Sequence, residues 1–132
     1  MQLIILYIST VIVFLGFDAF FLKTVLRPVF EACLGDWLLD DFRVAPAALF
    51  YLAYIAGLLF FVSWPAMTEG SLAGIFAKGA LLGAMAYGTY EFSNYATLAR
   101  WEPTLVVVDL IWGAVLTGSS AVLGIVITRA VT

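Results

Sequence analysis

The sequence predicts an all-α fold: an integral membrane protein whose single domain, residues 1–132, is a four-helix transmembrane bundle. Of its 132 residues, 64% are hydrophobic and 11% are charged, and the mean hydropathy is +1.10. A soluble domain this short leaves much of its surface in water and has no means of hiding so much apolar surface. Strands of about ten alternating apolar and polar residues, typical of a membrane β-barrel, are not visible.

Four apolar segments are long enough to cross a bilayer, which takes about 20 residues in a helix. They cover approximately residues 3–26, 45–66, 72–97 and 104–128. The first has no basic residue ahead of it and no small-residue cleavage site, so we interpret it as a retained span. Charges and prolines concentrate between the segments, as expected where a chain leaves the membrane.

The longest connection, residues 27–44, is predicted to contain a short amphipathic helix at the membrane interface. Two interpretations stay open, a lid over a pocket and a tether lying on the membrane surface. The apolar side chains expected to face lipid are Phe30, Leu34, Trp37 and Leu38.

Composition excludes several kinds of site. Histidine is absent, which excludes haem held by histidine and the usual zinc sites. The single cysteine, Cys33, forms no intrachain disulfide and is interpreted as an apolar filler. No basic run indicates nucleic acid, and no ligand spacing indicates magnesium or calcium. We therefore expect no cofactor and no metal.

Three acidic residues inside the spans are predicted to lie at one depth. With the N-terminus on side A, the first and third connections lie on side B. Asp18 is then about 12 Å from side B, Glu91 about 9 Å and Asp109 about 8 Å, at the rise of an α-helix. Three carboxyls on three helices therefore share one level of the membrane.

The distribution of basic residues favours both termini outside, with side B in the cytoplasm. Side B is expected to carry four basic residues and side A two. Those on side B are Lys23, Arg27, Arg43 and Arg100, and those on side A are Lys78 and Arg129.

Small residues predict how two of the spans meet. Gly79 and Gly83 have the GxxxG spacing that lets helices approach closely in lipid, and Gly113 follows Asp109 by one turn. A plain packing seam is one interpretation of these stripes. The other is that they aim the acids at a shared pocket, because Glu91 continues the first stripe. The predicted pocket residues are Asp18, Tyr87, Glu91, Asn94 and Asp109.

Two short motifs resemble each other, Asp18-x-x-Phe21 and Asp109-x-x-Trp112. Their spans run in opposite directions, so they do not form a simple parallel duplication. We interpret the likeness as coincidence, or as similar packing of an aromatic residue beside an acid.

Several stretches together resemble a known family: FLGFDAFFL, RPVF, AALFYLAYIAGLLFFV, YGTYEFSNYATLARW and VVVDLIWGAVLTG. The chain is similar over nearly its whole length to small bacterial predicted membrane proteins grouped as domain of unknown function 2177. The resemblance implies a multi-pass protein of the bacterial inner membrane and supplies no activity. Glu91 departs from the family pattern, where this position is more often Asp. The matching residues are Asn94, Ala96, Thr97, Leu98, Trp101, Asp109, Trp112 and Gly113.

The buried acids indicate a function, because an ionisable side chain at the bilayer centre costs at least about 2.5 kcal/mol on insertion scales. The leading hypothesis is a pocket that binds or translocates a small ligand, a proton or a cation. One alternative is a hydrogen-bond network that holds the helices together, with Lys23 and Arg100 as partners of the acids. Two further alternatives are an accessory subunit of a membrane complex and a lipid- or isoprenoid-modifying enzyme. The enzyme ranks lower, because the sequence has no nucleophile–base motif. Expected partners are membrane lipids and either a second copy of the chain or a larger membrane complex, with no nucleic acid.

Overall fold

The computed structural model describes residues 1–38 and 43–132, and these form helices joined by short turns, with no strand among them. The end of the predicted interfacial segment, residues 39–42, lies outside the described residues. The elements are α1 (Gln2–Phe21), a first π turn (Leu22–Leu26), α2 (Arg27–Leu34), a 3₁₀ turn (Gly35–Trp37), α3 (Val44–Leu58), a second π turn (Leu59–Ser63), α4 (Leu72–Thr97) and α5 (Pro103–Val131).

Four helical stretches are long and apolar enough to span a membrane, which confirms the predicted fold class. The first joins α1 to the 3₁₀ turn without interruption, and the second joins α3 to its π turn. The stretches are Gln2–Trp37, Val44–Ser63, Leu72–Thr97 and Pro103–Val131.

Local sequence explains several helix ends. The Ser71 side chain accepts a hydrogen bond from the Gly74 backbone N–H (3.1 Å) and so caps the start of α4. Pro103 occupies the first turn of α5, where backbone N–H groups have no partner within the helix, so its missing N–H costs no helical hydrogen bond. Gly35 ends α2 with φ at 57°, a conformation that glycine adopts without strain from a Cβ.

Helices α4 and α5 are in close contact along the predicted glycine stripes. A Cβ on Gly79 would lie 2.9 Å from the Gly118 Cα, and a Cβ on Gly83 would lie 2.7 Å from the Thr117 Oγ1. A Cβ added to Gly113 of α5 would likewise overlap the ring of Tyr87 of α4. The three glycines predicted to pack helices therefore all lie in the α4–α5 contact, where the backbones approach as small residues permit in lipid.

The apolar core fills the side A half of the bundle, between α1, α3, α4 and α5. Its members are Leu6, Phe14, Ile55, Leu58, Leu59, Val62, Met67, Ile75, Leu116, Ala121 and Ile125.

Two arginines tie the ends of the bundle together. On side A, Arg129 of α5 donates to the backbone carbonyls of Met67 (2.8 Å), Ala66 and Gly70 (3.0 Å each), just after the second π turn. On side B, Arg100 donates to the Leu34 carbonyl (2.8 Å) and to Asp36 (2.7 Å). The expectation that Arg100 pairs with the intramembrane acids is therefore wrong, because its guanidinium is held at the end of α2.

The segment predicted to lie on the membrane surface packs largely against the protein. Helix α2 continues α1 through the π turn, and Leu34 is buried against Trp101, Leu105 and Val106. Phe30 and Leu38 border the same cluster. The expectation that these side chains face lipid is wrong, because the start of α5 and the turn before it offer apolar partners. Trp37 is exposed.

Replacing Gly83 by alanine is expected to lower the free energy of unfolding by about 1–3 kcal/mol, because the added methyl group has no room against α5. The matched control is Gly16→Ala on α1, where nothing lies within 4 Å of the added Cβ. Alanine favours helix over glycine by up to about 1 kcal/mol, so the control should be neutral or stabilising. Denaturant unfolding of both variants in detergent checks this. Equal unfolding free energies for the two would contradict the close contact.

Candidate functional site

A cavity of about 360 Å³ lies in the side B half of the bundle, at the level of the membrane where the three acids are predicted to lie. All four spanning stretches contribute to its wall, the first of them through α1, the first π turn and Phe30 of α2. Its lining residues are Asp18, Leu22, Leu26, Phe30, Ala47, Phe50, Tyr51, Tyr54, Ala86, Tyr87, Tyr90 and Asp109.

The three predicted acids meet at this cavity from three different helices. Asp18 of α1 and Asp109 of α5 line it, with 6% and 5% of their surface exposed. Glu91 of α4 lies behind the wall with 0% exposed. The carboxyls of Glu91 and Asp18 both lie close enough to Asp109 to interact with it electrostatically. The shared depth inferred from helical rise therefore corresponds to spatial proximity.

Asp18 is held by a tryptophan from the neighbouring helix. The Trp112 indole Nε1 donates to Asp18 Oδ1 at 3.2 Å, and the Trp112 ring stacks on Phe21 with centroids 3.9 Å apart and planes 11° apart. These contacts involve Asp18 and Phe21 of the first motif and Trp112 of the second. The likeness of these two motifs is interpreted in the sequence analysis as coincidence or as similar packing. The two motifs in fact contact each other across the α1–α5 interface.

Glu91 is held by a second tryptophan, in the turn between α4 and α5. The Trp101 indole Nε1 donates to Glu91 Oε1 at 2.8 Å. Within the described part of the chain no donor reaches Glu91 Oε2. The Trp101 ring packs edge-on against Tyr90, with centroids 5.7 Å apart, and is tilted against Phe30 at 5.8 Å. One oxygen of the buried Glu91 carboxyl is therefore satisfied by an indole, and the other has no donor among the described residues.

Four tyrosines supply most of the remaining polar wall. Tyr54 and Tyr87 pack edge to face, with centroids 6.5 Å apart, and the Tyr54 hydroxyl lies 3.0 Å from the Thr117 Oγ1. Tyr51 lies near Asp18 in the wall of the cavity. The sequence analysis names Tyr87 among these four tyrosines and does not name Tyr90. Spacing is the signal that points to Tyr90, because it lies three residues from Tyr87 and so on a similar helix face.

Asn94 is the one predicted pocket residue that takes no part in the cavity or its acid cluster. It is half-buried and lies near Tyr90 instead. Of the five predicted residues, Asp18, Tyr87 and Asp109 line the cavity and Glu91 lies directly behind Asp109.

One side of the cavity is bounded only loosely. Every residue from Arg43 to Phe50 is exposed, so the first two turns of α3 stand away from the other helices. Ala47 and Phe50 of these turns still border the cavity. Opposite them, the first π turn contributes Leu22 and Leu26, and π turns within α-helices are frequent at functional sites. The cavity therefore opens sideways between α3 and the rest of the bundle.

The chemistry of the wall is anionic and aromatic. The lining residues include two carboxyls, four phenol rings and no basic side chain. Such a wall attracts positive charge, because carboxylates supply the opposite charge and the faces of aromatic rings carry negative potential.

Comparison with protein families gives one match, to the family described as "Predicted membrane protein (DUF2177)", over residues 3–126. The chain belongs to this family. No curated protein and no solved structure matches it. Family membership and the four spanning stretches together show that the chain is a membrane protein.

Removing the Trp101 indole N–H is expected to destabilise this DUF2177 protein more than removing that of Trp112. Trp101→Phe leaves fully buried Glu91 without its donor, at a cost of about 1–3 kcal/mol. Trp112→Phe removes a longer bond to an acid at the cavity wall and keeps a ring on Phe21, so we expect a loss of about 0.6 kcal/mol, the average for interhelical bonds in membranes. Unfolding free energies in detergent test the order. The reverse order would mean that the Glu91 bond is not the stronger constraint.

Proposed function

We propose that this membrane protein binds an organic cation, an amine or quaternary ammonium with apolar substituents, in the cavity on side B. The observation that carries the proposal is the wall itself, in which Asp18, Asp109 and four tyrosine rings face one space without a basic side chain. Carboxylates combined with aromatic faces form the arrangement by which proteins recognise quaternary ammonium groups.

The size and polarity of the cavity support a small and partly apolar ligand. Its volume of about 360 Å³ lies at the lower end of the range of roughly 300–1,000 Å³ for small-molecule sites. Leucine, phenylalanine and alanine side chains make up the rest of the wall, namely Leu22, Leu26, Phe30, Ala47, Phe50 and Ala86.

The sideways opening at α3 supports entry from the membrane. An amphipathic cation partitions to the interface of a bilayer, with its charge among the headgroups and its apolar part among the chains. The exposed start of α3 lies near the side B interface, so the charge of such a ligand would reach Asp18 and Asp109 without crossing the bilayer centre.

Packing on side A favours binding at one face over an open channel. Leu6, Ile55, Leu58, Leu116 and Ile125 fill the bundle between the cavity and side A. A path through the whole membrane would require these helices to separate. In the bacterial inner membrane, with side B in the cytoplasm as the basic residues favour, the cavity would collect its ligand from the inner leaflet.

Calorimetric titration with benzyltrimethylammonium tests the proposal, since this ion combines a fixed positive charge with an aromatic group. Asp18→Asn and Asp109→Asn should each weaken binding at least about tenfold, or 1.4 kcal/mol, because each removes one carboxylate facing the cation. Glu69→Gln is the matched control, because it removes an exposed carboxyl on the side A turn. A neutral isostere, tert-butylbenzene solubilised in the same detergent, should bind more weakly than the cation.

Two outcomes of this titration would sink the proposal. One is a wild-type protein that does not bind the cation at all. The other is binding that the two cavity variants and the Glu69 control share equally. If the Asn variants instead lose unfolding free energy while no variant binds the cation, the acids serve only to join the helices.

The contribution of an aromatic ring can be measured separately at Tyr51. Tyr51→Phe keeps the ring and should change the affinity little, whereas Tyr51→Leu removes it and should weaken binding by about 0.5–2 kcal/mol, the range of cation–π interactions. The same calorimetric titration measures both variants. Equal losses would assign the effect of Tyr51 to its hydroxyl near Asp18.

A further inference from the structure

We infer that Phe30 and Tyr90 form a subsite for the apolar substituent of the organic cation, and that Glu91 positions this subsite through the ring of Trp101. The inference rests on the proposed function, since the subsite belongs to the same cavity. It gives a role to Glu91 and Trp101, neither of which lines the cavity.

The apolar part of the cavity wall is concentrated on one helical stretch. Leu22 and Leu26 of the first π turn and Phe30 of α2 follow one another at intervals of four residues, and all three line the cavity. Tyr90 lines it from α4. This part of the wall therefore offers apolar and aromatic surface to a substituent, whereas the charge of the cavity comes from the two carboxyls on α1 and α5.

The two subsite residues lie against the same indole ring. The Trp101 ring is tilted against Phe30, with centroids 5.8 Å apart, and packs edge-on against Tyr90, with centroids 5.7 Å apart. Trp101 is itself buried in the apolar cluster at the start of α5. Because aromatic pairs favour particular angles between their rings, the orientation of Trp101 determines how the other two rings face the cavity.

One hydrogen bond gives the Trp101 ring its direction. An indole has a single donor and no acceptor, and here its Nε1 donates to Glu91 Oε1 at 2.8 Å. Glu91 is fully buried, so breaking this bond would leave a buried donor and a buried acceptor unpaired. Burial of the ring among apolar neighbours adds free energy but no direction. Glu91 therefore acts on the subsite through Trp101.

Other contacts hold the backbones that carry the two subsite rings. Helix α2, which carries Phe30, is tied to the turn before α5 by Arg100, which donates to the Leu34 carbonyl at 2.8 Å. Tyr90 lies inside the regular helix α4. Loss of the Glu91 bond is therefore expected to turn the rings without displacing the helices, so that the fit of the substituent changes while the cavity remains.

The test compares two cations of equal charge. Benzyltrimethylammonium carries an aromatic substituent and tetramethylammonium has none, so the ratio of their affinities reports on the subsite, while the carboxyls attract both ions alike. Calorimetric titration of the protein in detergent, corrected for uptake by empty micelles, gives this ratio. Wild type should favour the benzyl ion by about three- to tenfold, the range of an aromatic contact. Phe30→Leu and Tyr90→Leu should each lower the ratio, and Glu69→Gln, at an exposed carboxyl, should not.

Variants of Glu91 separate the hydrogen bond from the charge. Glu91→Gln keeps an oxygen that accepts from Trp101, so the ratio should stay at the wild-type value, because any effect of the lost charge is common to both ions. Glu91→Leu has no acceptor and should lower the ratio about threefold. Trp101→Phe keeps a ring without the donor and should lower it as much. The double variant Glu91→Leu/Trp101→Phe should fall no further, because both changes break the same bond.

The outcomes distinguish the inference from the proposed function. If wild type binds neither ion, both fail. If wild type binds both ions and the ratio is unchanged in Phe30→Leu and Tyr90→Leu, the subsite alone is overturned. An equal fall in Glu91→Gln and Glu91→Leu, or additive losses in the double variant, overturns positioning through Trp101. Should Glu91→Leu not fold, Trp101→Phe decides the same point, since an unchanged ratio in that variant contradicts the role of the bond.

Discussion

The close contact between α4 and α5 is the constraint on which the rest of the structure depends. Gly79 and Gly83 bring the backbones of the two helices together near Gly113 and Gly118. Glu91 lies about two turns beyond Gly83 on α4, so the distance between the helices at the glycines limits the distance between its carboxyl and α5. A larger side chain in this seam would separate Glu91 from Asp109, because small residues are what allow helices to approach in lipid. The same glycines therefore determine both how the two helices pack and where the acids lie relative to each other.

Indole groups solve the problem of placing carboxyls where no water is available. In hydrocarbon an unpaired polar group costs several kcal/mol, and the usual cationic partners are themselves expensive to bury. Trp101 and Trp112 each offer one N–H on a large apolar ring, so they satisfy Glu91 and Asp18 while filling space among aromatic neighbours. Arg100 bonds to Asp36 and to the Leu34 carbonyl, outside the group of three acids.

Sequence alone was enough for the number of spans, the all-α class and the common depth of the three acids, because hydropathy and helical rise determine height in the membrane. It was weaker on rotation about the helix axis, which decides which side chains meet. Asn94 follows Glu91 by three residues and therefore points about 60° away from it, which is enough to place it beside Tyr90 and off the cavity. The two tryptophan donors come from a turn and from a neighbouring helix, and no periodicity within one segment predicts such contacts. The burial of Leu34 escapes sequence analysis for the same reason, since its apolar partners belong to another part of the chain.

The first π turn acts as a correction of helical phase. Asp18 and Leu34 both face α5, yet sixteen residues of regular α-helix leave them about 160° apart around the axis. A π turn accommodates one extra residue and so takes back about 100°, which leaves an angle of about 60°. That angle fits within a single apolar stripe, whose width is at least about 100°. One continuous helix can therefore hold α5 both at the cavity and beyond the membrane level of the acids. Adding or deleting a residue between these two positions would rotate one contact away from α5 while leaving the hydropathy profile almost unchanged.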